Sequence, residues 1–249
     1  MWLLDLGNTR LKLARVDGAD PVTPLALAHA DDGFEAALRR AIAPAARGEG
    51  AWLASVASEG TRSTVERVFA EFGLTLRRAT TRAECAGVRI AYADPARLGV
   101  DRFLALLAAR ALGGDQLVVS FGSAITVDLL DRQGRHHGGL IGIAPAHARQ
   151  ALAERFPALD RGEASVDAAF GVDTPEALLG GTRGQALGLV LAAWEDARGL
   201  LGRPPALFVG GGDAPGYVDA LACRLATTVV HREAMVLEGL RVYAGAMAG

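Results

Sequence analysis

The chain has 249 residues, 51% of them apolar and 22% charged, which is ample material for a buried core and lies outside the regime of disordered chains. Its 26 basic and 28 acidic side chains leave a formal charge of -2, so no broad positive field exists to hold a phosphate backbone, and nucleic acid is not an expected partner. The longest run without Asp, Glu, Lys or Arg is the 13 residues 136–148, short of the about 18 that a membrane span needs, and Asp5 cuts the N-terminal apolar stretch before a signal sequence can form.

In chain order, Trp2-Leu3-Leu4-Asp5-Leu6 reads as a strand, Gly7-Asn8 as a tight turn, and the residues up to Val16 as a second strand with period-2 alternation, together a β-hairpin. Helical spacing follows over 34–43 and 61–72, with a buried strand over 51–56 between them and another strand over 88–92. After Asp94-Pro95 the Ala- and Leu-rich run 101–112 predicts a helix that Gly113-Gly114 stops. The segment 118–130 then repeats the hairpin, with Gly122 placed 115 residues after Gly7. That offset predicts a duplication, with lobes at 1–114 and 115–249. In the second half, 140–143 extends the sheet, 175–201 holds one long helix whose Gly184 and Gly188 suit close packing, 206–209 is a strand entering Gly210-Gly211-Gly212, and 236–247 is a last helix. The expected class is α/β, with two lobes of mixed sheets flanked by helices and a cleft where the two hairpins face each other.

Common nucleotide and metal signatures are missing. A Walker loop needs Gly-Lys, and the sole lysine, Lys12, follows Leu11; no Gly-x-Gly-x-x-Gly, His-Glu-x-x-His or Cys-x-x-Cys occurs. His136-His137 is an isolated pair, expected to be solvated. Cys85 and Cys223 suit a reducing cytoplasm, the expected location. What remains is a set of turns and carboxylates. In Asp5-Leu6-Gly7-Asn8-Thr9, a glycine at the tip removes the Cβ that blocks a phosphate, while the backbone N–H groups and the side chains of Asn8 and Thr9 supply donors. Asp5 suits Mg²⁺ or its water shell beside those phosphates, although the same residues also make a stabilising Asx turn. Gly122-Ser123-Ala124 offers a matching loop, and Thr126-Val127-Asp128 a second carboxylate near it.

These segments, with Gly99-Val100-Asp101-Arg102 before a helix, Gly138-Gly139 and Leu237-Glu238-Gly239-Leu240, resemble the type III pantothenate kinases in order and spacing over nearly the whole chain. The resemblance implies two RNase H-like lobes of the acetate and sugar kinase, actin-like superfamily, with ATP between them and pantothenate phosphorylated in the first step of coenzyme A synthesis. Carried across, it puts the nucleotide phosphates on Asp5, Leu6, Gly7, Asn8, Thr9, Arg10, Leu11, Lys12 and Ser123. It puts pantothenate on Tyr92, Gly99, Val100, Asp101, Arg102 and Thr174, with Asp101 as general base and the carboxylates of Asp5 and Asp128 completing the catalytic set. A carboxylate suffices as base, because the acceptor is a primary alcohol that must be aligned rather than ionised beforehand. Arg102 supports developing charge, binds an anionic group of substrate, or pairs with Asp94 at the helix start.

The family's second lobe carries Asp-x-Gly-Thr-Ala, whose Asp binds an activating monovalent cation, K⁺ or NH₄⁺; here Ser120 stands at that position and Ser123 replaces the Thr. Either the cation is dispensable or backbone carbonyls hold it. Pro145-Ala146 stands where the family has Pro-Gly. The resemblance also implies a homodimer that shares the pantothenate pocket, and the apolar residues Leu178, Leu179, Ala186, Leu189, Val190, Ala193 and Trp194 of the long helix exceed one buried face. Two other readings compete: a kinase of another small alcohol, and a nucleotide-binding regulator without catalysis. Tyr92 with 99–102 favours pantothenate over the first, and retention of Asp5, Asp101 and Asp128 argues against the second.

Overall fold

In the computed structural model, which describes residues 1–17, 22–159, 170–225 and 227–248, the opening hairpin forms as its alternation predicts. β1 (Trp2–Leu6) runs antiparallel to β2 (Arg10–Arg15), with Leu4 opposite Leu13 and Asp5 opposite Lys12. The connection is a three-residue loop rather than the expected tight Gly-Asn turn: Gly7 N–H donates to the Arg10 carbonyl at 3.0 Å, and neither Gly7 nor Asn8 takes a positive φ.

The chain continues through β3 (Leu25–Ala28), α1 (Phe34–Ile42), β4 (Gly50–Ser55), α2 (Glu59–Glu71), β5 (Thr75–Arg78), the two-residue pair β6 (Glu84–Cys85) and β7 (Val88–Arg89), and α3 (Val100–Leu112). It then forms β8 (Gln116–Phe121), β9 (Ala124–Leu130), β10 (His136–Ile143), α4 (Pro145–Arg155), α5 (Thr174–Leu201), β11 (Ala206–Gly210), α6 (Pro215–Arg224), β12 (Val229–His231) and α7 (Met235–Ala246). The strand expected over 88–92 stops at Arg89, since Ile90 N–H turns to the Ala83 carbonyl.

Two five-stranded sheets have the same plan, β3-β2-β1-β4-β5 and β10-β9-β8-β11-β12. In the first, β4 lies parallel to β1 and β5 parallel to β4; in the second, β11 lies parallel to β8 and β12 parallel to β11. The repeat suggested by Gly7 and Gly122 is therefore a repeat of strand order. Because side chains alternate along a strand, each sheet has two distinct faces. In the first, Leu4, Leu6, Leu11, Leu13, Ala51 and Leu53 pack with Phe34, Leu38, Ile42, Val65 and Phe69 of α1 and α2. Leu3, Asp5, Lys12 and Trp52 take the other face, where Trp52 meets Tyr243 of α7 edge-on at 5.4 Å. In the second, Leu117, Val119, Phe121, Ile125, Val127 and Leu207 pack with Val190 and Trp194 of α5 and Leu221 of α6.

The chain divides into two compact units, Met1–Gly114 with Leu130–Gly138 and Glu233–Gly249, and Asp115–Leu129 with Gly139–Arg232. The lobe expected over 115–249 thus yields its last helix and the β9–β10 turn to the first unit. The physical reason is close packing. A Cβ on Gly239 of α7 would fall 1.8 Å from the Leu104 carbonyl oxygen of α3, and one on Gly134 would fall 1.9 Å from the Gly87 carbonyl oxygen. Gly184 and Gly188 do not seat α5 against its sheet, since a Cβ at either meets nothing within 4 Å; Ala186, Leu187, Val190 and Trp194 form the buried face.

Candidate active site

Asp5 sits on β1 one residue before the end of the strand, on the face that α3 and α7 cover. Burial, and then the negative charge of Asp101, raise its pKa from 3.8 to about 7, while its cross-strand neighbour Lys12 lowers it in part. Lys12 Nζ donates to the Glu233 carbonyl at 3.1 Å. Leu6 and Leu11 lie fully in the core, so these two positions offer a phosphate only their backbone. Asn8, Thr9 and Arg10 are exposed around the turn.

The chain itself does not require glycine at the turn. A Cβ on Gly7 would sit at an ordinary 3.5 Å from the Arg10 carbonyl oxygen, and one on Gly122 at 3.8 Å from the Ala124 carbonyl oxygen, with φ in the common range at both. No contact within the chain forces glycine there, unlike Gly239 or Gly211, where backbone already fills the place of a Cβ. Sequence reasoning missed two histidines at these turns. His29, just past β3, donates from Nε2 to the Gly7 carbonyl at 3.1 Å and from its backbone N–H to the Thr9 carbonyl at 3.3 Å. His147 on α4 donates from Nδ1 to the Ser123 carbonyl at 2.8 Å. Neither spacing nor composition marks them.

Gly99 caps α3, and the negative end group at the helix start is Asp101, where the helix dipole favours a carboxylate. Asp101 Oδ1 accepts from Arg102 N–H at 2.9 Å and lies 2.6 Å from where a Cβ on Gly99 would be, so glycine makes room for that carboxylate. Arg102 is 7% exposed; its Nη1 donates to the Tyr92 hydroxyl at 3.3 Å and its guanidinium lies 6.0 Å from the Tyr92 ring centre. Tyr92 in turn stacks on His136 at 6.0 Å and 6°. The expectation of a solvated histidine pair fails here: His136 is 1% exposed and accepts from Ala91 N–H at Nδ1, and His137 Nε2 meets Asp131 at 2.8 Å. The return of the β9–β10 turn to the first unit is what brings His136 under Tyr92. Asp5, Lys12, Asp101, Arg102 and Tyr92 therefore belong to one unit.

Ser120, Ser123, Asp128 and Thr174 belong to the other. The 115-residue offset sets Ser120 at the place in the second sheet that Asp5 takes in the first, opposite Gly210 in register. Asp128 on β9 is 2% exposed and shares a face with Thr126, away from the core residues Ile125, Val127 and Leu129. Thr174 opens α5. Around it, Asp173 caps the helix by accepting from Glu176 N–H at 2.9 Å, and a Cβ on Gly171 would strike Ala177 N at 2.3 Å, so the Gly171-Val172-Asp173-Thr174 pattern also serves to start the helix. Pro145 likewise occupies the first turn of α4, where its missing N–H has no helical partner to lose.

Among the described residues, no three His, Cys, Asp or Glu side chains are grouped to hold a metal ion. A single carboxylate such as Asp5 still fits Mg²⁺, which takes one or two carboxylates and completes its shell with water and substrate phosphates. No described helix is long and apolar enough to cross a membrane.

The family model of type III pantothenate kinase matches residues 1–196. A type III pantothenate kinase of Xanthomonas campestris pv. campestris (strain B100) is 43% identical over 98% of this chain and 96% of its own length, and one of Xanthomonas oryzae pv. oryzae (strain PXO99A) is 41% identical over 99% and 98%. Among solved structures, a candidate 2-dehydro-3-deoxygalactonokinase from Sinorhizobium meliloti superposes with a TM-score of 0.63 at 15% identity, covering 99% of this chain and 98% of its own. A candidate Baf family transcriptional activator from Campylobacter jejuni does so at 0.61 and 18%, covering 98% of both chains. At these identities the two structures speak for the fold alone.

Proposed function

The chain belongs to the type III pantothenate kinase family and catalyses the ATP-dependent phosphorylation of pantothenate to 4'-phosphopantothenate in coenzyme A biosynthesis, and we propose that Asp101 is the base that aligns the acceptor hydroxyl. The observation that carries this role is the setting of Asp101: a carboxylate at the start of α3, given room by Gly99 and fixed by Arg102 N–H. The acceptor hydroxyl donates its hydrogen bond to Asp101, its oxygen attacks the γ-phosphorus in line, and the proton passes to the carboxylate as ADP leaves. Arg102, whose Nη1 donates to the Tyr92 hydroxyl, follows Asp101 at the start of α3 and meets an anionic group of pantothenate or charge that develops in transfer in this reading.

The turn 7–9 receives the nucleotide phosphates in this reading, supported by a glycine for which the chain has no internal need. Ser123 does the same at the second turn, supported by the equivalent freedom at Gly122. Asp5 is the residue that would hold Mg²⁺, which when bound shields phosphate charge; a divalent cation also offsets the repulsion between Asp5 and Asp101. Ser120 lacks the formal charge that a monovalent cation site uses, so activity is independent of K⁺ or NH₄⁺ unless carbonyls supply the ligands. Thr174 completes the pantothenate pocket from a second copy of the chain. Support for a homodimer comes from β10, an edge strand that exposes Leu140, Ile141 and Ile143 at 46%, 66% and 56%, and from the open glycine face of α5 at Gly180, Gly184 and Gly188. The two cysteines are unpaired, which fits the cytoplasm.

The deciding experiment is Asp101→Asn. The amide keeps an oxygen for Arg102 N–H, so folding should be intact while kcat falls by about 100-fold or more. Near-normal turnover removes Asp101 from the mechanism.

A further inference from the structure

We propose that His29 is a positioning residue for nucleotide binding, which holds the Gly7 and Thr9 carbonyls away from the bound phosphates and thereby aims the Asn8 N–H at them. The idea rests on the reading that this turn receives phosphates. A phosphate surrounded by peptide groups is attracted by N–H and repelled by C=O, so a loop that binds it must hold its carbonyls elsewhere. In a trans peptide the C=O and the following N–H point in opposite directions. Fixing the Gly7 carbonyl therefore fixes the direction of the Asn8 N–H.

His29 supplies that fixing twice. Its Nε2 binds the Gly7 carbonyl at 3.1 Å and its backbone N–H binds the Thr9 carbonyl at 3.3 Å. The Arg10 carbonyl is taken by Gly7 N–H at 3.0 Å. A carbonyl only accepts, so Nε2 must carry the hydrogen. The ring is seated by Phe34, edge-on at 6.1 Å, which anchors it to the start of α1. A related contact occurs at the second turn one position further along, where His147 holds the carbonyl of Ser123, the residue after Gly122, at 2.8 Å. The two histidines come from unrelated elements, the end of a strand and a helix, yet each ties back a carbonyl of a glycine-led turn.

His29→Phe keeps a ring against Phe34 and removes the donor; His29→Gln keeps an amide donor. Binding of ADP with Mg²⁺ by titration calorimetry, and KM for ATP and for pantothenate, should be compared with Gly7→Ala as the probe of the turn itself. The expected result is about tenfold weaker ADP binding and a raised KM for ATP in the Phe variant, with the pantothenate KM, kcat and Tm close to the parent and most of the affinity restored by Gln. If Gly7→Ala weakens ADP binding and His29→Phe does not, the role of His29 is overturned and the phosphate turn stands. If neither weakens it, the turn does not receive phosphates and both readings fall. A Phe variant that loses its fold, with Gln restoring fold and affinity together, makes His29 a structural support and overturns the proposal.

Discussion

Asp5 on β1 and Asp101 at the start of α3 oppose one another electrostatically: burial, and then the charge of Asp101, lift the Asp5 pKa from 3.8 to about 7. Between roughly those two values the folded protein keeps a proton that the unfolded chain has released, so stability falls as pH rises through the window and levels off above it. Asp101→Asn should lower the Asp5 pKa and flatten that slope, measurable by carboxyl NMR titration and denaturant midpoints. Affinity for ADP with Mg²⁺ should climb as Asp5 ionises near pH 7. An Asp5 that titrates alike in parent and variant would deny the coupling.

Within α7, two glycines should respond in opposite senses to alanine. At Gly245 the added methyl meets nothing, and helix propensity alone should stabilise by a few tenths to about 1 kcal/mol. At Gly239 it would meet the Leu104 carbonyl oxygen at 1.8 Å, and overpacking should outweigh propensity and destabilise by about 2–3 kcal/mol. Because α3 carries Asp101 at its start, Gly239→Ala should also depress kcat. Thermal unfolding of the pair decides the matter: equal effects would mean α3 and α7 do not meet closely.

Ser120 stands where its counterpart Asp5 carries a carboxylate. Activity should change little when Na⁺ replaces K⁺ or NH₄⁺, and Ser120→Asp should create a dependence. A strict requirement in the parent protein would show that carbonyl ligands compensate for the missing charge.

Light scattering at micromolar concentration should give about twice the 25.8 kDa chain mass. The interface should bury more than roughly 1,200 Å² and include β10. Ile141→Glu, on a side chain that is 66% exposed, should split the assembly without unfolding the chain and should abolish pantothenate binding. A fully active monomer would defeat the shared pocket.

The hairpins, the long helices and the doubling of the fold were legible because they rest on local periodicity and on one glycine spacing. Some short strands were not: β5, Thr75-Leu76-Arg77-Arg78, has a single apolar residue and exists because Leu53 and its neighbours in β4 offer it an edge. Of α4's residues only Ala148 is buried, so no stripe announces it. The motif residues of the site were readable as a set, but their mutual arrangement was not. Nothing in His136-His137 says that one ring slides under Tyr92 while the other meets Asp131, because that depends on a turn from the second half packing on Gly87. His29 and His147 act through single hydrogen bonds to carbonyls, which leave no trace in composition or spacing.

The return of α7 to the first unit also bears on how the protein is made. A ribosome releases the N-terminal sheet, α1 and α2 early, but the face of that sheet bearing Asp5 lacks α7 until residues 233–248 have emerged. Until then α3, buried from Arg102 to Ala109 in the finished protein, lacks the helix that shields it. The nascent chain therefore carries an apolar helix without its partner for about the second half of synthesis, and the unit that begins first is the unit that finishes last.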